Sequence, residues 1–160
     1  MDSPTRALAL AAPVLRRAGP ADLDALLDLH RRCSPETLRR RFLGAPQTSA
    51  SVLGTLLTRD GTYTVLTFAG REAVATGSLF TYADEAELAF LVRDDWQRRG
   101  LGRALVRHLA EAAHGQGVRT LHLCAYADNT PVRRLVHGLA RSVRQSVTDG
   151  VLSVEVTLTR

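Results

Sequence analysis

The chain contains no lysine: all 21 of its basic side chains are arginine. This removes the Gly-Lys-Ser/Thr core of a nucleotide-binding P-loop. Cysteine is nearly absent too. Cys33 and Cys124 stand far apart in apolar-patterned segments and form no CxxC, so a zinc or dithiol redox motif is unsupported. Two buried, reduced thiols are expected, which fits a reducing cytoplasm. The five histidines show no metal-ligand spacing, so no metal is expected. Few aromatics, no recognised nucleic-acid motif and 16 acidic residues spread among the arginines disfavour a nucleic-acid binder. No apolar run approaches the length of a membrane span, so no membrane partner is expected. The apolar stretch 7–15 is broken by Pro13 and follows Asp2, which is wrong for a basic leader.

What is present suits one α/β domain. The 160 residues suffice for a single substantial core. The net charge of +5 favours acidic partners such as a polyphosphate cofactor. Residues 1–12 read as a loose tail and 13–160 as the domain. A strand is expected at 14–17. A helix starts after Gly19-Pro20, with Leu23, Leu26, Leu27 and His30 at helical spacing. Ser34-Pro35 restarts the chain as a cap followed by a tolerated first-turn proline, and Leu38 and Phe42 share a face of that second helix among Arg39, Arg40 and Arg41. A short helix is expected near 49–57, and a hairpin of 62–69 with 73–82. Further on come a strand at 118–126, a helix from Asn129 to about 139, and a hairpin of 142–148 with 151–158 across Asp149-Gly150.

The stretch 86–113 organises the rest. Its first part alternates with period two: Leu88, Phe90 and Val92 point one way, and Glu87, Ala89 and Leu91 the other. Its last part has helical period, with Leu101, Ala104, Leu105, Leu109 and Ala112 on one stripe. Between them lie Arg98, Arg99, Gly100, Leu101 and Gly102. A glycine loop leading into a helix N-terminus is a site for phosphate or pyrophosphate. A dinucleotide fingerprint fails, because Arg103, Ala104 and Leu105 supply no third glycine. The series Gln97-Arg98-Arg99-Gly100-Leu101-Gly102 instead fits Q/R-x-x-G-x-G/A, directly after a strand and the spacer Arg93-Asp94-Asp95-Trp96.

With these residues the chain resembles the GCN5-related N-acetyltransferase (GNAT) family. The glutamate-bearing strand and the segment Arg-Asp-Asp-Trp-Gln look most like bacterial protein-lysine acetyltransferase domains. The resemblance implies a mixed, mostly antiparallel sheet, splayed between its fourth and fifth strands and flanked by helices on both faces. It implies acetyl-CoA as acyl donor, its pyrophosphate on Gln97, Arg98, Arg99, Gly100, Leu101, Gly102 and Arg103. Pantetheine would pair with the strand edge Phe90, Leu91 and Val92, and Asn129 would contact the cofactor or simply cap its helix. The reaction implied is attack of a primary amine on the thioester, with Glu87 as general base and Glu85 as its rival. A backbone N–H near Leu91 or Val92 would polarise the carbonyl. Many members carry a tyrosine seven residues after the asparagine, as general acid for the thiolate; here that position is Val136, with His137 and Tyr126 as weaker substitutes. The family's usual Gly-Phe beyond this helix is replaced by Ala140-Arg141. An acyl-CoA-binding sensor without activity would share all of these features except turnover.

Overall fold

The computed structural model describes residues 12–138 and 142–158. The tail 1–12 therefore falls, but for its last residue, outside the described residues, and so do Ala140 and Arg141.

The strands are β1 (Val14–Arg17), β2 (Thr62–Ala69), β3 (Glu72–Tyr82), β4 (Glu85–Val92), β5 (Thr120–Tyr126), β6 (Ser142–Thr148) and β7 (Val151–Thr157). The helices are α1 (Leu23–Arg31), α2 (Pro35–Phe42), α3 (Ala50–Thr58), α4 (Leu101–Gly115) and α5 (Thr130–His137). The strands form one sheet in the order β1-β2-β3-β4-β5-β7-β6. All neighbours are antiparallel except β4 and β5. That exception follows from connectivity, since α4 intervenes between the two strands and returns the chain in the same direction. The mixed sheet and its helices match the expected fold class.

Local chemistry explains the boundaries. Ser34 caps α2 by accepting from the Thr37 N–H at 3.2 Å, a contact worth about 1 kcal/mol. Ser49 does the same for α3 through Val52. Leu43 closes α2 in the left-handed region (φ +52°). Asp149 and Gly150, both at positive φ, make the tight β6–β7 turn.

Two cores lie on opposite sheet faces. Under α4 and α5, a core containing Val65, Leu79, Leu88, Leu105, Leu109, Leu121, Leu123, Val136, Leu152 and Val154 runs unbroken from β2 to β7. Each large side chain buried there stabilises by about 1.5–3 kcal/mol. Under α1–α3, a smaller core of Leu26, Leu29, Leu53, Leu66 and Leu91 goes no further than β4. The opposite face of β5 and β7 carries His122, Cys124, Ser153 and Glu155 in register. Gly77 lets α4 approach β3, since a Cβ there would lie 2.7 Å from Leu109 Cδ1.

Four details differ from the sequence reading. The α4 stripe is centred on Leu105, Val106, Leu109 and Ala113, with Ala104 exposed, because the helix is rotated toward β3 and β4. Strand β5 begins at Thr120, since after Gly117 at φ +82° the Val118 N–H still donates back to the Ala113 carbonyl of α4 at 3.0 Å. The described part of α5 ends at His137. Only Cys33 is buried; Cys124 is exposed, because it alternates out of phase with the buried Leu121, Leu123 and Ala125. Burial, with Asp94 adding to it, pushes the Cys33 thiol up to about 12. A thiol reagent applied to the folded protein near neutral pH should therefore label Cys124 and spare Cys33. Peptide mass mapping checks this; equal labelling of both would contradict the placement.

Candidate active site

Strands β4 and β5 are in register only at Glu85–Thr120, Ala86–Leu121 and Glu87–His122. Beyond Glu87 they part. Residues Leu88 to Val92 thereby keep their β3 partners on one side and have no β5 ladder on the other. The gap opens into a cleft of about 1150 Å³. Its lining includes Leu88, Ala89, Phe90, Leu91 and Val92 on one side and Leu123, Cys124, Ala125, Asp128 and Asn129 on the other. An unpaired strand edge facing a cleft is a template for an amide-bearing ligand.

The glycine loop stands at the open end. After the short 3-10 turn Asp94–Trp96, the chain passes through Arg98 (φ +59°) and Gly100 (φ +82°) before α4 begins. No side chain caps α4 among the described residues. Its first-turn N–H groups thus remain available at the positive end of the helix dipole. Gly102 is the second residue of α4, where an added Cβ would come within 3.4 Å of Phe90 Cε2 and 3.5 Å of Leu135 Cδ1. The missing side chain keeps the space between helix and strand edge open.

Of the residues expected to contact the donor, Phe90, Leu91, Val92, Gln97, Arg98, Gly100, Leu101, Gly102, Arg103 and Asn129 all line this one cleft. Arg99 does not; its guanidinium lies 4.6 Å over the ring of Trp96. Gln97 donates from Nε2 to the Val92 carbonyl at 3.0 Å, which ties the loop to the end of β4. The Asn129 side chain accepts from the Val132 N–H at 3.4 Å, so it caps α5 while its residue faces the cleft.

Glu87 occupies the last β4–β5 pair, at the vertex of the splay. It is exposed rather than turned into a packed interior, and it lies just beyond the residues lining the cleft. It shares the face covered by α2. Burial pulls the Arg41 guanidinium below its ordinary value, and the Glu87 carboxylate opposes that pull. Glu85 is engaged: its Oε2 accepts from His122 Nε2 at 2.7 Å. At the position of the family tyrosine, Val136 is 2% exposed and belongs to the core. His137 is exposed on α5, and the Tyr126 ring is covered by the Arg39 guanidinium at 4.5 Å.

Several cleft residues carry no motif signal, among them Thr37, Leu123 and Leu135, and Asp94 falls within the spacer pattern without a signature of its own. Trp96, 7% exposed and also in the lining, falls within the spacer pattern but has no distinct signature of its own.

The sequence profile of the acetyltransferase (GNAT) family matches residues 23–139. The chain belongs to this acetyltransferase family. A GNAT relative, Acetyltransferase Pat of Mycolicibacterium smegmatis, is 31% identical over 150 residues, covering 89% of this chain and 44% of its own length. The chain thus spans less than half of that curated relative. Among solved GNAT structures, the GNAT domain of PAT from S. lividans superposes with a TM-score of 0.80 at 27% identity, covering 90% of this chain and 89% of that one. PaiA N-acetyltransferase of Thermoplasma acidophilum, solved with coenzyme A, shares the fold, with a TM-score of 0.73 at 14% identity over 92% and 99% of the two chains. The resemblance to the GNAT family carried by the glycine loop is therefore matched in overall sequence and in structure.

Proposed function

We propose that this GNAT domain transfers the acetyl group of acetyl-CoA to a primary amine by direct attack on the thioester, and that the amine is a lysine side chain of a protein. The observation that carries the reading is the composite at β4. An unpaired strand edge runs from an uncapped glycine-loop helix to a free carboxylate at the vertex of the splay. Acetyl-CoA fits those features. Its pyrophosphate would take the N–H groups of residues 100–103, and its pantetheine amides the free edge of Phe90, Leu91 and Val92.

The chemistry then divides among named groups. An amine is protonated near neutral pH and cannot attack until it loses that proton. Among the described residues Glu87 makes no hydrogen bond or ion pair and can take it, whereas Glu85 is held by His122. The C–N bond forms as the carbonyl oxygen gains charge, which an N–H of the β4 edge stabilises. The nitrogen of the adduct, now cationic, sheds its surplus proton to solvent as the C–S bond breaks, and the thiolate leaves and takes a proton from solvent. With Val136 buried, no side chain of that position supplies it. Support for a lysine acceptor comes from the kinship with Pat.

The reading is tested by thiol release from acetyl-CoA against lysine peptides and a panel of small amines. Lysine peptides are expected to give the highest kcat/KM. A second reading, an acyl-CoA-binding module without turnover, is favoured by Val136 and by the position of Glu87 outside the cleft lining. It predicts stabilisation by acetyl-CoA with no thiol released for any amine.

A further inference from the structure

Helix α2 forms one wall of the cleft through Glu36, Thr37, Arg40 and Arg41, yet none of its eight residues is fully buried. Only Leu38 rests, partly covered, on the smaller core. Polar contacts hold the helix in place, and they run to the two segments that flank the donor cleft. At its N-terminal end the Asp94 carboxylate accepts from the Ser34 N–H (2.8 Å), the Ser34 hydroxyl (2.6 Å) and the Thr37 hydroxyl (2.8 Å). Gln97, at the start of the glycine loop, donates to the Thr37 hydroxyl at 3.2 Å. At the far end Arg40 pairs with Asp128 at 3.1 Å, and Arg39 stacks on Tyr126. Glu36 braces both arginines at 3.0 and 2.9 Å. Helix α2 is thus a cross-beam from the glycine-loop spacer to the β5–α5 turn, and the charge of Glu87 is felt at its Arg41.

We propose that Asp94 is a positioning residue that joins α2 to the donor loop, so that filling the donor cleft sets the wall against which the acceptor amine is presented. Among the described residues, Asp94 makes three of the four hydrogen bonds of this joint, the fourth being Gln97 to Thr37. A helix without a buried face is placed by whatever it is hydrogen-bonded to, and here three bonds converge on one carboxylate 57 to 60 residues away in the chain. Desolvation raises the Asp94 carboxyl and those hydrogen bonds more than reverse it, leaving it below its ordinary value and charged near neutral pH. Coupling of this kind is reciprocal: acetyl-CoA tightens acceptor binding by the factor by which the acceptor tightens acetyl-CoA. The inference rests on the acetyl-transfer reading, because it assigns the two sides of the cleft to donor and acceptor.

The test compares wild type, Asp94→Ala and Asp94→Asn with a lysine peptide active in the amine panel, and follows amide hydrogen exchange in α2 with and without coenzyme A. Asp94→Ala is expected to raise the acceptor KM by roughly 5- to 150-fold, the range of ordinary coupling energies, with a smaller change in kcat and coenzyme A still bound. Asp94→Asn keeps one acceptor oxygen and should fall between. Coenzyme A should slow exchange in α2 of the wild type and not in Asp94→Ala. Equal protection of α2 in both proteins, or an unchanged acceptor KM, overturns the joint. A wild type that neither binds coenzyme A nor releases it from acetyl-CoA overturns the acetyl-transfer reading itself, a separate outcome.

Discussion

Glu87→Gln is expected to lower kcat by about a hundredfold to ten-thousandfold, the usual cost of losing a general base, while acetyl-CoA binding stays near wild type. The amide keeps the shape and reach of the side chain and loses its basicity. The donor-side features are the glycine loop and the β4 edge beyond Glu87, and Glu87 does not line that cleft. Affinity and turnover should therefore separate. The wild-type rate should rise with pH and then flatten as base and amine reach their reactive forms; the variant should retain only the amine's own dependence. Steady-state kinetics over a pH series, with one active amine, makes the measurement. Wild-type turnover in Glu87→Gln would leave the vertex carboxylate a scaffold. In that event Glu85→Gln becomes the informative variant, because Glu85 would have to leave His122 to act.

The second large effect concerns the glycine loop. Saturating acetyl-CoA should raise Tm, since a ligand bound by the folded state alone stabilises it by about 2.7 kcal/mol at one hundred times Kd. For a domain of this size that corresponds to roughly 5–10 °C. Gly102→Val should abolish the shift. Gly102 is helical, so valine brings no backbone strain and, compared with glycine, a slightly better helix propensity. Its branches would nonetheless fill the space beside Phe90 and Leu135 where the donor has to pass. The apo variant should melt close to wild type. Gly100 is a less clean probe, because its φ of +82° would strain any replacement. An undiminished shift in Gly102→Val would place the donor elsewhere.

The legible parts of this molecule were the local ones. Capping by Ser34, the Asp149-Gly150 turn and the glycine loop each involve a few neighbouring residues whose chemistry is fixed by type and spacing. The alternation of β5 was also written in the chain, and it placed Cys124 opposite Leu121, Leu123 and Ala125; reading cysteine as a core residue gave weight to type over parity. The splay came from family resemblance, because a ladder that stops after three pairs leaves no mark in either strand. Asp94 stayed silent for a related reason. Its partners Ser34 and Thr37 meet it only after α2 has folded back across the sheet, and an aspartate in a spacer reads as ordinary loop chemistry until they do. The exposure of Glu87 depended on what failed to cover it: the apolar core beneath α1–α3 goes no further than β4, and α2 crosses beyond it only through polar side chains, a limit set by packing rather than by any residue at 87.

That limit has a stereochemical consequence. The core beneath α4 and α5 is continuous across the gap between β4 and β5, and the core on the other face is not. A thioester laid in the gap would therefore have one side of its planar carbonyl against hydrocarbon and the other toward α2. Attack could then come from a single direction, fixing the handedness of the tetrahedral adduct even though neither thioester nor amide records it. Water would be confined to the same approach, so an amine seated there would displace the one competitor able to waste the acetyl group.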